Sequence, residues 1–426
     1  MPTSLNVLML GSIPPPYGVV NIHVENLCRE LSKIDDVYLM ADRPLDRIKS
    51  SIRNGYRIYR PLVTVSHANA AKGIKDFSET TVLNIRGYGF HCIKTWGGCM
   101  LCTPIFIRYG LRIEIELLYV SPLHEILNTR DIDVIHAHHA SGRAFRAILA
   151  TRITRKHIPV VVTMHRGELE PKNHRDLSLT RHVFDNASRL VAVSTYIKNK
   201  AVRLGAAPEK VTVIPNGVDT RFFKPLDDKK RLNQIKKKYG VEIDSTILLF
   251  VGQPSKRKGI ESLVNVLSMI LNHNLKIQLL IVGKGPRESI LYRLVNSLGL
   301  NNNVVFMKDL TIQEIREVYW IADIFILPSS EEGLSSALLE ALSCGKAVLT
   351  TYPRSSLRHD AVIDGFNGLL LRTGYLDVLS SKLQLLIEDV RLRRKLGENA
   401  RRTAMEMFDW SIIASKVHKL YGKVVG

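Results

Sequence analysis

The sequence has no uninterrupted apolar run near the roughly 18 to 20 residues that a membrane-spanning helix needs, Cys99 to Ile107 being far too short. Met1 to Gly11 is a short strand-like run without the basic leader and small-residue cleavage site of a secretory signal. Cysteine is scarce: five in 426 residues exclude a disulfide framework, which belongs to small secreted domains, and point to reduced thiols. Low-complexity tracts and helical repeats are missing as well, which excludes a mainly disordered chain or a solenoid. These absences set the expectation of a cytoplasmic protein, free or peripheral on the cytoplasmic face of a membrane.

Positive charge is abundant. The formal net charge of +20 predicts attraction to an anionic partner: nucleic acid, an acidic lipid surface or a phosphorylated substrate. The basic residues are spread over Arg43 to Arg60, Lys224 to Lys238 and Arg391 to Arg402, with no nucleic-acid module, and each run is expected to be a solvated face. Within the first, Ile48, Ile52, Tyr56 and Tyr59 lie among basic residues, which makes it the candidate contact with an acidic membrane. Cys99-x-x-Cys102, with His91 and Cys92 upstream, could hold zinc, but it lacks a second pair at finger-like spacing, and plain thiols are expected.

The length exceeds what one hydrophobic core usually serves, so two domains of similar size are expected. Short apolar runs bounded by turn residues recur: Leu5 to Leu10, Val134 to Ala137, Val160 to Met164, Leu190 to Val193 and Val211 to Ile214, then Ile247 to Val251, Leu279 to Val282, Val304 to Met307, Ile324 to Leu327 and Ala347 to Thr350. Helical periodicity fills most gaps, as in Val20 to Leu31, Ser262 to Leu271 and Glu314 to Ile321. Strands alternating with helices predict an α/β fold with parallel sheets covered on both faces. The rhythm breaks between Asn216 and Tyr239, which places the boundary there: residues 1–216, 217–407 and a final helix 408–426.

In doubly wound sheets, ligands bind beyond the carboxyl ends of the strands. After the first strand, Pro14-Pro15-Pro16-Tyr17-Gly18 leads into a helix, and Gly18 would let a ligand approach a helix N-terminus, or simply make a tight turn. Gly252 follows the first strand of the second half, with Lys258-Gly259 opening the next helix and Arg257 beside them. Gly283-Lys284-Gly285-Pro286 repeats that layout without the third glycine of a dinucleotide fingerprint, and reads as a turn that borders a base. The most specific stretch runs from Leu327 to Ala341: a strand end, Gly333 as the turn, Ser335 or Ser336 as helix cap, and a helix that stops at Gly345. Amides after Gly333, from Leu334 and Ser335 onward, would face an anion such as a diphosphate. Glu332 and Glu340 are then two carboxylates able to accept sugar hydroxyls, or an exposed glutamate and an ordinary helical one.

Together these residues resemble the retaining glycosyltransferases called family 4, which have the two-domain GT-B fold, with Rossmann-like domains facing a cleft, and a Glu-x7-Glu motif. Glu332 to Glu340 has that spacing, and the likeness extends to Asp133-Val134-Ile135-His136-Ala137-His138, Thr163-Met164-His165, Val193-Ser194, Val213-Ile214-Pro215-Asn216-Gly217-Val218-Asp219, Lys258-Gly259 and Trp410. The resemblance implies a sugar moved from a nucleoside diphosphate sugar to an acceptor hydroxyl with retention, a hexosyltransferase needing no protein nucleophile and no essential metal. It implies that Glu340 binds the ribose, that Glu332 and His165 meet the transferred sugar, that Lys258 neutralises the diphosphate, and that the N-terminal domain holds the acceptor, which the basic charge leads us to expect is lipid-linked or otherwise anionic. A nucleotide-sugar epimerase of the same fold, or a non-catalytic binder of anionic surfaces, are the alternatives. The chain departs from the family at Gln253, where arginine is usual and Arg257 would substitute, and at Tyr352 to His359, where Arg354-Ser355-Ser356 replaces a glycine pair.

Asp131-Ile132-Asp133 mimics a metal-binding Asp-x-Asp but immediately precedes a strand, and is expected to begin it. His136, His138 and His139 follow; period-two alternation would turn His139 away from the other two, leaving strand-end histidines that line the cleft rather than hold zinc.

Overall fold

The computed structural model describes residues 4–11, 19–41, 50–53, 55–59, 82–84, 91–93, 120–271, 276–352, 359–372 and 376–426. The chain forms two compact units, one reaching to Ile214 and taking in Ala414–Gly426, the other Pro215–Ile413. No helix among the described residues is long and apolar enough to cross a membrane.

The first unit is built on β1 (Asn6–Gly11), β2 (Asp36–Ala41), β3 (Ser50–Arg53), β4 (Tyr56–Tyr59), β5 (Val82–Asn84), β6 (His91–Ile93), β7 (Val134–His138), β8 (Val160–Met164), β9 (Arg189–Ala192) and β10 (Val211–Val213). Eight of these form a sheet in the order β10-β9-β8-β7-β1-β2-β4-β3, and β5 pairs with β6 separately. Only β3 runs antiparallel to its neighbour within the large sheet. Every residue of β7 and β8 is buried, as expected of parallel strands covered on both faces. Asp133 accepts a hydrogen bond from the Asn6 amide at 2.7 Å, so its carboxylate starts the β1–β7 ladder and is not a free metal ligand. Ser194 accepts from the Ile197 amide at 3.2 Å, the ordinary work of a helix cap.

The second unit carries β11 (Thr246–Val251), β12 (Ile277–Val282), β13 (Val304–Met307), β14 (Ile324–Leu327), β15 (Ala347–Thr351) and β16 (Leu369–Leu371), parallel throughout, in the order β13-β12-β11-β14-β15-β16. From β11 the chain winds outward to β13 and then returns to β14 on the other side. The switch point therefore lies between β11 and β14, and their following loops flank the place where such sheets take ligands.

One expectation is revised here. The basic run Arg391 to Arg402 is not simply a solvated face, because Arg401 Nη1 donates to the carbonyls of Thr220 at 2.9 Å, Phe223 at 3.1 Å and Ser343 at 2.9 Å. Gly217 has a packing reason: a Cβ there would lie 2.4 Å from the Trp410 indole, while Trp410 N donates to the Val218 carbonyl at 3.3 Å. Gly217→Ala is expected to destabilise the fold by about 1–3 kcal/mol, the usual range for an overpacked site. A lower denaturation midpoint with unchanged slope would show it; a midpoint equal to the parent's would mean that the ring yields without cost.

Candidate active site

Two glycines bring the loop after β11 into contact with its neighbours. Gly259 has φ +67°, and a Cβ there would lie 2.2 Å from the Pro328 carbonyl oxygen, so the turn after β11 is pressed against the end of β14. Gly283, at φ +131°, lets the loop after β12 approach the Gly252 carbonyl, which a Cβ would meet at 2.4 Å. Neither place admits a side chain.

On the 3₁₀ turn Lys256–Lys258, two cations point at one carboxylate. Lys258 Nζ is 2.5 Å and Arg257 Nη1 2.9 Å from Glu332 Oε1, and Arg257 also donates to the Glu331 carbonyl at 2.7 Å. The Ser330 amide donates to the Arg257 carbonyl at 2.8 Å, tying the turn to the loop after β14. Burial pushes the Glu332 carboxyl up, but the charges of Lys258 and Arg257 outweigh it and hold the group below its ordinary value. Glu332 is therefore ionised at neutral pH, with one oxygen shared between both cations.

Beside this cluster is a small pocket lined by Ser329, Glu332, Gly333, Ser335, Thr350, Thr351, His359 and Asp360, among others. The helix Ser336–Ser343 begins at its wall. Its N-cap, Ser335, makes no side-chain cap bond, so the first-turn amides have no side-chain acceptor there. Leu334 is fixed from behind, its carbonyl accepting from Asn216 Nδ2 at 2.9 Å, which gives the Asn216-Gly217 motif a second task. Ser329, itself buried, lines the pocket beside Glu332. His359, pushed down to about 4 by burial, is neutral, and its Nδ1 accepts from the Ala361 and Val362 amides at 3.1 and 3.2 Å.

Glu340 lies one turn from that helix's end. Its Oε2 accepts from the Tyr319 hydroxyl at 2.8 Å, and burial pushes its carboxyl from 4.5 up to about 7. Between these values folding takes up a proton, so this group makes the fold less stable as pH rises from about 4.5 to about 7. Glu340→Gln, uncharged throughout, should lose that decline and exceed the parent's stability at pH 8 by up to about 3 kcal/mol. Denaturant unfolding at pH 5 and pH 8 measures it; a difference between the two proteins that is the same at both pH values contradicts the buried-carboxyl reading.

The structure thus brings Gly252, Arg257 and Lys258, after β11, together with Glu332, Gly333, Leu334, Ser335 and Glu340, after β14, at the switch point, with Gly283 packed against Gly252. Lys284 pairs with Asp309 at 2.5 Å on the surface, and Gln253 is exposed. His165 belongs to the first unit, among other histidines. His139 departs from expectation: β7 ends at His138 and His139 takes φ +72°, so strand alternation does not govern it, and its ring is 5.0 Å from that of His165. Gly18, Cys99, Cys102, the stretch 353–358 and half of Arg43 to Arg60 lie outside the described residues; Cys92 is described only as backbone in β6. Sequence reasoning missed Tyr319, a helical tyrosine with no local signal, and named Asn216 and His359 only as part of a motif and of a loop, without a role in the site.

The family model described as Glycosyl transferases group 1 matches residues 233–403, and that described as Glycosyltransferase Family 4 matches residues 102–222. The chain is 25% identical over 315 residues, 73% of its length and 80% of the relative's, to N-acetyl-alpha-D-glucosaminyl L-malate synthase of Bacillus anthracis. It is 25% identical over 426 residues, 97% of each chain, to the GDP-mannose-dependent alpha-(1-6)-phosphatidylinositol monomannoside mannosyltransferase of Mycolicibacterium smegmatis. Among solved structures, sucrose-phosphate synthase from Thermosynechococcus elongatus superposes with TM-score 0.72 at 18% identity over 98% of this chain and 99% of that one. Anabaena Alr3699/HepE in complex with UDP and glucose gives 0.71 at 18% identity over 98% and 100%. These likenesses agree with the two parallel sheets described above in giving the GT-B fold, two Rossmann-like α/β domains.

Proposed function

The chain belongs to the group 1, family 4-like glycosyltransferases, and on that premise we propose that its second unit binds a nucleoside diphosphate sugar and transfers the hexosyl group to an acceptor hydroxyl with retention of anomeric configuration. The observation that carries the reading is the pair Lys258 and Arg257, held on the single carboxylate of Glu332 beside a helix whose first turn has no side-chain cap. An incoming diphosphate offers those cations and the amides of Gly333, Leu334 and Ser335 more negative charge than Glu332 does. It takes them over and frees Glu332 for the sugar. Glu340 then accepts from the ribose hydroxyls.

As the bond to the anomeric carbon breaks, charge accumulates on the departing diphosphate, and prepositioned donors stabilise it without reorganising. That phosphate accepts the acceptor's proton in this scheme, so no protein nucleophile and no essential metal are required. His165 is assigned to the transferred sugar on the resemblance alone. An acceptor that is lipid-linked, or part of a polysaccharide, is favoured by the phosphatidylinositol-linked substrate in the name of the mycobacterial relative and by this chain's net charge of +20. Cytoplasmic placement, peripheral on an acidic membrane, follows from the same reading.

Incubation with uridine, guanosine and adenosine diphosphate sugars in the presence of chelator, with the product's anomeric configuration read by NMR, tests the proposal. Retention with activity undiminished by chelator is expected. An inverted product, activity that chelation abolishes and a divalent ion restores, or epimerised donor formed without acceptor would overturn it.

A further inference from the structure

Three buried histidines meet at the switch point of the first sheet, which lies between β1 and β7. His23 comes from the helix Val19–Leu31 that follows β1, His138 ends β7, and His165 follows β8. Their ring centroids are 5.1, 5.2 and 5.7 Å apart, and one ring nitrogen of each lies within 4.8 Å of the others. His138 Nδ1 and His165 Nε2 are 3.4 Å apart. Two nitrogens bound tetrahedrally at about 2.0–2.1 Å from one ion would stand at nearly that separation.

The surroundings orient the rings. His138 Nε2 lies 3.2 Å from Met9 Sδ, which gives its N–H a neighbour and leaves the Nδ1 lone pair toward the cluster. His136 stacks on His138 at 4.8 Å and is itself fixed by Tyr421 at 2.5 Å and Thr163 at 2.7 Å. Glu168 accepts from the His165 amide at 2.6 Å and meets His139 Nδ1 at 2.9 Å, bracing the turn after β8. His138 and His165 are buried, and the neutral imidazole is the form that binds metal.

We infer that His23, His138 and His165 form a binding site for one divalent transition-metal ion of the zinc type, with three imidazole ligands and a fourth position open to water. The site belongs to the first unit, whereas the diphosphate residues belong to the second. It rests on the proposed function in one respect: an ion on His165 withholds that imidazole from the sugar, so the metal inhibits transfer instead of supporting it.

The test titrates the metal-free, full-length protein with Zn²⁺ by calorimetry and with Co²⁺ by visible absorption. One bound equivalent is expected, with the strong d–d bands of four- or five-coordinate cobalt, and binding weaker by at least about 10-fold in His23→Gln. No stoichiometric binding, or parental affinity in a folded His23→Gln, would overturn the site. Should that variant not fold, the hyperfine-shifted imidazole signals of the cobalt-loaded parent count the ligands: three support the site and fewer overturn it. Zinc that binds without slowing transfer overturns the sharing of His165. Binding in a protein that shows no transfer at all supports the metal site and counts against the donor reading instead.

Discussion

Lys258→Ala is expected to lower turnover with the complete donor by about 10²- to 10³-fold, the size of effect seen when one preorganised group facing developing charge is removed. The expectation comes from placement. Lys258 is buried, its ammonium lies 2.5 Å from Glu332, and the turn that carries it is held down by the fit of Gly259 against Pro328. A flexible surface lysine would have to be ordered at the moment of reaction; this one already is. Because Lys258 meets the diphosphate in the bound donor and more strongly as charge accumulates on departure, kcat should fall and kcat/KM should fall at least as far. Lys258→Met, which keeps much of the aliphatic stem, should behave alike, whereas a purely structural role would spare turnover in that variant. Turnover within twofold of the parent in either would remove Lys258 from the mechanism.

Glu340→Ala should weaken binding of the nucleoside diphosphate itself by about 10- to 150-fold, equivalent to charge-assisted hydrogen bonds worth roughly 1.5–3 kcal/mol. The helix should survive, since alanine is the best helix former, although Tyr319 loses its carboxylate acceptor while keeping the Ala337 carbonyl at 2.9 Å. Glu332→Ala should do the reverse: it releases Lys258 and Arg257 to the diphosphate, leaves nucleotide affinity nearly intact, and lowers turnover because its partner is the sugar. Calorimetry with both variants separates the two roles. The opposite pattern, or parental behaviour in both, would contradict the assignment.

Much of the fold is readable along the chain because buried parallel strands are nearly continuous apolar runs: Val160–Met164 and Ile324–Leu327 coincide with β8 and β14 to the residue. β16 escapes because its three residues are too few for any period to show, and β2 because it opens on aspartate and follows closely after a helix. Within the site, the spacing of Glu332 and Glu340 is local and can be seen in the sequence. Their partners are not. Lys258 lies 74 residues before Glu332, and what joins them is a sheet order that no local pattern encodes. For the same reason the three clustered histidines, which come from a helix and two strand ends, read as separate residues until β1, β7 and β8 are placed side by side. Arg401 fails differently: it lies in a run of basic residues on the helix Val390–Thr403, and only packing shows that its guanidinium is taken by backbone carbonyls.

The central claim is that the second unit holds a nucleoside diphosphate between Lys258 and Glu340, and its most direct test is calorimetric titration of the chelator-treated protein with uridine, guanosine and adenosine diphosphates. One of the three should bind stoichiometrically, raise the unfolding temperature with concentration as mass action requires, and bind far more weakly to Glu340→Ala. Binding of none of them, or equal binding to parent and Glu340→Ala, would contradict the account.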